Sequence, residues 1–201
     1  MIKNIIFDLG NVLLDQKTIS ADAYLASILH ISELDSKIFY SHYKKDAVSG
    51  LIPFRTLVKL YKEHFKNNLP DEEVVKRYIQ LYVYDVFKVN RELLSLIMEL
   101  KKKYKIYMMT NTLEPHFEHW KTLGFDEYFD RIFRSDADHF IKPEKQAYEY
   151  IVGEIGAKPE ECVFIDDLPE NSEGAAKIGI KGLIYTNNSN LITDLAKLGV
   201  I

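Results

Sequence analysis

From Asn90 to the end of the chain, short apolar runs alternate with stretches of helical spacing, and this alternation constrains the fold more than any other feature. Residues 105–109 (KIYMM), 131–134 (RIFR), 162–165 (CVFI) and 182–185 (GLIY) read as strands. Residues 91–103, 114–123, 143–155, 169–178 and 191–198 read as helices, several opened by proline and followed by glycine, as helix termini favour. Strands separated by helices imply an α/β fold with a parallel sheet. One more strand precedes them all. Ile5, Ile6 and Phe7 form an apolar run that ends on Asp8, Gly10 and Asn11 break it, and Val12, Leu13 and Leu14 resume it.

Between the first strand and the alternating part lies a stretch of a different kind. Residues 21–30, 32–43, 53–65 and 71–86 carry apolar residues at helical spacing, with no convincing strand among them. Leu34, Ile38 and Phe39 fall on one side of the second of these helices. Tyr78, Tyr82 and Tyr84 crowd the fourth, and such tyrosines and histidines can line a pocket. Residues 16–86 are therefore predicted to be a helical insertion into a sheet domain made of residues 1–15 and 87–201. A chain of 201 residues is long enough for that arrangement.

The composition excludes some classes of function. The net charge of -4 argues against nucleic acid as the main partner. No run approaches the ~18 apolar residues of a membrane span. Asp8 interrupts the N-terminal apolar run too early for a signal peptide, so a cytoplasmic location is expected. The lone cysteine, Cys162, forms no intrachain disulfide and sits in a strand pattern, where it reads as a small buried hydrophobe. Nothing in the sequence sets an oligomeric state.

Three strands end in polar residues that matter. The first ends in Asp8, the second in Thr110 and Asn111, and the fourth in Asp166 and Asp167, while Lys142 precedes a helix opened by Pro143. In a parallel sheet, strand ends of one polarity share an edge, and ligands bind there. Three carboxylates brought within ~4 Å of one another repel by roughly 4 kcal/mol per pair at an effective dielectric near 20. Lys142 alone does not neutralise them. A hard dication with oxygen ligands does, and Mg²⁺ suits a site of few carboxylates that shares its shell with a phosphate. Lys142, the Thr110 hydroxyl and the Asn111 amide can hold phosphate oxygens. The set supports attack by Asp8 on phosphorus and hydrolysis of the resulting aspartyl-phosphate. Each residue also has a bland reading: Asp8, Thr110 and Asp166–Asp167 as turn or helix caps, and Lys142 as a surface lysine. His64, His119, His139 and Trp120 read as surface or packing residues, and Asp136 and Asp138 as solvated.

Taken in order, FDLGNVLLD, MMTNT, IKPEKQAY and FIDDLPENSEGA resemble the four motifs of the haloacid dehalogenase (HAD) superfamily. The resemblance covers the whole chain. It implies a Rossmann-like core with an α-helical cap at residues 16–86 that closes over the substrate. It implies Asp8 as nucleophile, Thr110 as phosphate-binding hydroxyl, Lys142 as stabilising lysine, and Asp166 and Asp167 as metal acids. The DLGNV spelling is similar to that of small bacterial phosphatases that act on sugar phosphates, including glucose-1-phosphate. A Mg²⁺-dependent phosphatase of a small phosphorylated metabolite is thus the expected activity. A catalytically quiet binding protein and a metal-free haloacid dehalogenase are the alternatives, and the paired acids at 166–167 speak against the latter.

One position departs from the pattern. Most family phosphatases carry a second aspartate two residues after the nucleophile, as general acid and base; here it is Gly10. Its carbonyl can still reach the metal, but no carboxylic acid stands there. Water, His30, His42 or His116 is the expected proton source.

Overall fold

The structure is a computed structural model describing residues 1–16 and 20–201, and their side chains apart from residues 15, 16, 84–87 and 118. Residues 17–19 of the helical insertion and the Tyr84 side chain thus lie outside what is described.

The strands β1 (Asn4–Phe7), β4 (Lys105–Thr110), β5 (Arg131–Arg134), β6 (Cys162–Asp166) and β7 (Lys181–Ile184) form one sheet in the order β5-β4-β1-β6-β7, with every pair parallel. β1 and β6 are buried along their whole lengths, which is why they read as unbroken apolar runs rather than alternating ones. Successive side chains still point to opposite faces. Ile5, Phe7, Ile106, Met108, Val163 and Ile165 enter one core, whereas Ile6, Tyr107, Met109, Cys162 and Phe164 enter the other.

The helices divide accordingly. α5 (Arg91–Leu100), α6 (Glu114–Thr122) and α10 (Asn188–Lys197) pack into the first core through Leu93, Ile97, Trp120, Leu191 and Leu195. α8 (Lys145–Glu154) and α9 (Pro169–Ala176) cover the other face through Ala147, Tyr148, Ile151 and Ala175. Cys162 is free and buried, and burial pushes its thiol up to about 11, so it stays protonated as a small hydrophobe. Among the described residues, no helix is long and apolar enough to cross a membrane.

The stretch between β1 and β4 holds α1 (Ala21–Leu29), α2 (Glu33–Val48), α3 (Phe54–Phe65) and α4 (Asp71–Asp85). Ser32 caps α2 by accepting from the Asp35 N–H, and Pro53 stands just before α3 rather than inside it. Tyr24, Tyr40, Tyr61, Tyr78 and Tyr82 are buried in the first core, so these tyrosines fill space between helices. Leu34 and Ile38 of α2 are exposed, at 65% and 53%, against the expectation of a packed stripe. Tyr40, Ser36 and Ala47 mark the side of α2 that is buried instead.

A small antiparallel ribbon of β2 (Leu14–Gln16) and β3 (Val86–Val89) brackets this helical stretch. The sequence pattern did not show it, because strands of three and four residues are too short to establish a period. Asn90 fastens the return of the chain. Its N–H donates to Leu13 O (2.9 Å), its Nδ2 donates to Val12 O (3.1 Å), and its Oδ1 caps α5 at the Leu93 N–H (3.1 Å).

α9 lies so close to β7 that a Cβ on Gly182 would stand 2.3 Å from Ser172 O, a backbone atom that cannot yield. Gly182→Ala is expected to cost about 1–3 kcal/mol by overpacking, several degrees of Tm for a chain of this length. A thermal melt in which the variant matches the parent would refute that close approach.

Candidate active site

Register alone brings the site together. Phe7 pairs with Met108 on one side and Ile165 on the other, so Asp8, one residue on, lies level with the ends of β4 and β6. The Asp8 N–H continues the ladder, donating to Ile165 O at 2.8 Å. Chain order also places the site here. From β1 the chain builds β4 and β5 on one side, then crosses back to build β6 and β7 on the other. That reversal leaves a crevice at the carboxyl edge.

Just past Asp8 the backbone turns tightly. Leu9 O accepts from the N–H groups of Leu13 (2.9 Å) and Leu14 (3.0 Å). Asn11 adopts the left-handed conformation at φ 53°, which its short polar side chain tolerates. From there its Nδ2 donates to Asp167 Oδ2 at 3.1 Å. Gly10 forms an isolated bridge with Leu14.

Lys142 is the centre of the arrangement. It follows β5 by way of a short helix, α7 (Ser135–Asp138), and is joined to Pro143 by a cis peptide bond. The residue is 4% exposed, and its ammonium donates to Asp8 Oδ1 (2.7 Å), Asp166 Oδ2 (2.6 Å) and Met109 O (3.1 Å). Three donors thus meet three acceptors. Asn111 grips the lysine's backbone at both ends: its Nδ2 donates to Lys142 O and its Oδ1 accepts from Lys142 N–H, each at 2.9 Å. Thr110, the last residue of β4, is buried at the strand end.

Asp166 is fully buried and held on all sides. Besides Lys142, it accepts from Asn171 Nδ2 at 2.9 and 3.0 Å and from the Leu168 N–H at 2.9 Å. Nothing in the sequence marks Asn171, which stands five residues after Asp166 in the first turn of α9 and points back at the strand end. Asp167 is more open, with the Asn11 amide as its side-chain partner.

Asp8, Asp166 and Asp167 each present an oxygen such that the three lie within 4.8 Å of one another. Burial pushes Asp8 up to about 6; Lys142 opposes the shift and the charge on Asp166 adds to it. Asp167 is also raised, chiefly by burial. Burial works against the Lys142 charge, but the two carboxylates outweigh it and hold the ammonium above its ordinary range. Three clustered carboxylates against one ammonium leave a deficit of positive charge, and every donor offered is an oxygen. That donor set fits a hard dication.

Other residues singled out in the sequence serve elsewhere. Asp136 pairs with Arg134 (2.5 Å), and Asp138 accepts from the Arg134 N–H (2.8 Å) and Tyr150 OH (3.1 Å). They brace the segment after β5, where solvated side chains were expected. His30 and His42 are exposed. His116 stacks on Tyr82 at 3.8 Å, and its ring nitrogens face Tyr78 OH (3.0 Å) and Thr112 Oγ1 (3.3 Å). Trp120 completes the cluster by donating to Tyr82 OH at 2.9 Å. Burial pushes His116 down to about 3, so it is neutral near pH 7 and is not the proton donor that its position suggested.

With this geometry in view, the comparisons with known proteins are specific. The family model of the haloacid dehalogenase-like hydrolases matches residues 2–179. The chain belongs to that family. It is 30% identical over 132 residues to the sesquiterpene phosphatase astK of Aspergillus oryzae, covering 65% of this chain and 66% of that one. It is 23% identical over 207 residues to the D-ribitol-5-phosphate phosphatase of Bacteroides thetaiotaomicron, covering 97% of each. A HAD family enzyme from the same bacterium, crystallised with magnesium and inorganic phosphate, shares the fold with a TM-score of 0.78 at 21% identity, over 95% of this chain and 99% of that chain. Two longer relatives, from Arabidopsis thaliana and Mus musculus, are matched over only 24% and 29% of their lengths.

The neutral His116 predicts an acid-side loss of stability. Its folded pKa of about 3 lies below the unfolded value of 6.5, so between these values the unfolded chain binds more protons. Stability then falls as pH drops from about 6.5 towards 3. His116→Gln, compared with the parent by urea unfolding at pH 7 and pH 5, should flatten that slope. Parallel slopes in the two proteins would show that the ring is not held neutral.

Proposed function

We propose that this hydrolase cleaves the phosphate monoester of a small metabolite, of the sugar- or polyol-phosphate class, through an aspartyl-phosphate on Asp8. One observation carries the reading: a fully committed, buried Lys142 between Asp8 and Asp166, with Asp167 alongside and positive charge still lacking. A site with that deficit is completed by a dication and by a ligand that the dication and ammonium share. The names of the two relatives above, both phosphatases, agree with it.

Asp8, Asp167 and the Gly10 carbonyl would hold Mg²⁺, with Asp166 either ligating it or acting through the lysine it grips. When bound, the ion neutralises phosphate charge and polarises a phosphoryl oxygen. Lys142 keeps Asp8 Oδ1 in a fixed direction. The Thr110 hydroxyl and the amide hydrogen that Asn111 has left over would donate to phosphate oxygens. A carboxylate oxygen of Asp8 bonds to phosphorus as the ester P–O bond breaks, and the departing alkoxide takes a proton from water, since Gly10 offers no acid. A water molecule then attacks the phosphorus, the bond to Asp8 breaks, and phosphate and the free carboxylate are released. Helices α1–α4, inserted at residues 16–86, would act as the cap that selects the leaving group.

Phosphate release from a panel of phosphorylated sugars and polyols tests this directly. Activity should require Mg²⁺, vanish with chelator, and fall to background in Asp8→Asn. Release that persists in Asp8→Asn would overturn the assignment. General acid help is worth ~10²–10⁴-fold, so Gly10→Asp should speed alkyl phosphates more than p-nitrophenyl phosphate, whose leaving group needs no proton. Equal gains on both would argue that protonation is not what limits the parent.

A further inference from the structure

A second contact system links the helical insertion to the sheet edge, away from the carboxylates. The turn between α2 and α3 rests on the short helix α7. Ser135, fully buried, donates from Oγ to Val48 O at 2.6 Å. His139 Nδ1 meets Ser49 O at 2.9 Å. Gly50, at φ 72°, comes so close that an added Cβ would lie 1.8 Å from Asp136 O. Only glycine fits there, on grounds of both backbone angle and space.

The same Ser135 oxygen accepts from the Thr112 N–H at 2.8 Å, and it stands 3.3 Å from Thr112 O. A hydroxyl has one proton. It cannot donate to Val48 O and to Thr112 O together, and the shorter distance assigns the proton to Val48 O. If the turn withdrew, the proton would be free to swing to Thr112 O. Thr112 follows directly on Thr110 and Asn111, and Asn111 in turn grips the Lys142 backbone. The platform under the turn is stiff, because Arg134 is paired with Asp136 and its N–H is held by Asp138.

We propose that Ser135 is a positioning residue: through one hydroxyl, it couples the seating of the Val48–Gly50 turn to the setting of the Thr110–Thr112 loop. The idea rests on the phosphatase reading for its kinetic consequence, but not for the coupling itself. Seating the insertion fixes the direction of the Ser135 proton and leaves its lone pair on Thr112 N–H. The loop after β4 is then held through Thr112 N–H alone while the insertion is seated, and takes a second setting, drawn in by a bond to Thr112 O, when the turn withdraws.

The experiment has two arms. In the first, amide exchange at Thr112 is followed by NMR in the parent, in Gly50→Ala and in His139→Ala, neither of which touches Thr112. A changed exchange rate and amide shift at Thr112 in these variants, with β1 and β6 amides unchanged, is the expected result; unchanged Thr112 exchange and shift overturn the proposal. His139→Ala removes only a side chain at an exposed position and serves if Gly50→Ala does not fold. In the second arm, kcat/KM is measured for Ser135→Ala, His139→Ala and the double variant. Each single change should lower it by about three- to tenfold, the scale of one hydrogen bond, and the double variant should be no worse than the weaker single. Losses that multiply would show that Ser135 and the turn act independently. If the parent releases no phosphate, the functional reading fails and the exchange arm still decides the coupling.

Discussion

The buried ammonium of Lys142 is what the rest of the site depends on. An isolated ammonium in a protein interior is strongly disfavoured, and removing one partner of a buried ion pair is more costly than never having built it. Here the ammonium has Asp8, Asp166 and Met109 O as acceptors. The converse also holds. Without Lys142, two buried carboxylates would face each other across the strand ends with no cation of the chain's own between them. Asn111 and Asn171 stand one step behind, the first fixing the lysine's backbone and the second fixing Asp166. Neither carries charge, yet both decide where charge sits.

The sheet makes this possible by topology rather than by sequence proximity. Asp8 and Asp166 are adjacent because β1 pairs with β6 in the register that sets Phe7 against Ile165. A slip of one residue would turn every side chain to the opposite face. It would exchange Ile5, Phe7 and their partners with Ile6 between two cores that differ in size and lining. The hydrophobic pattern that folds the sheet is therefore the same constraint that aligns the acids.

That is also why much of the sheet and site was legible in the sequence. Fully buried strands announce themselves as apolar runs, and polar residues at their ends must then gather at one edge. The legible residues were those whose chemistry is conspicuous: Asp8, Lys142, Asp166, Asp167. What escaped notice has a physical reason in each case. β2 and β3 carry too few residues to show a period. Leu34 and Ile38 keep helical spacing but face outwards, since spacing says which residues share a side and not which side is buried. Asn171 and Ser135 act by satisfying partners that only the folded chain supplies, and a lone Asn or Ser carries no such mark. His116 looked like a proton donor by position, whereas its environment of Tyr78, Tyr82 and Trp120 removes its charge.

Besides the α4–α6 contact, where Tyr78 and Tyr82 meet His116 and Trp120, the helical insertion is tied to the sheet domain at two places of unlike kind. At its base, β2 pairs with β3, and Asn90 ties the returning chain to Val12 and Leu13, immediately after the turn that follows Asp8. At the far contact, the Val48–Gly50 turn sits on α7 through a few hydrogen bonds and one close backbone approach. The first attachment is continuous backbone and persists in any state of the folded chain. The second consists of side-chain and close backbone contacts between the C-terminal end of α2, with the turn that follows it, and α7, which is braced by its own Arg134–Asp136 pair. The carboxylates and Lys142 themselves are held by the sheet register and by Asn111 and Asn171, not by the insertion. The polar centre is thus built on strand ends whose register the buried apolar residues set, and the helical insertion adds none of the three carboxylates or the ammonium.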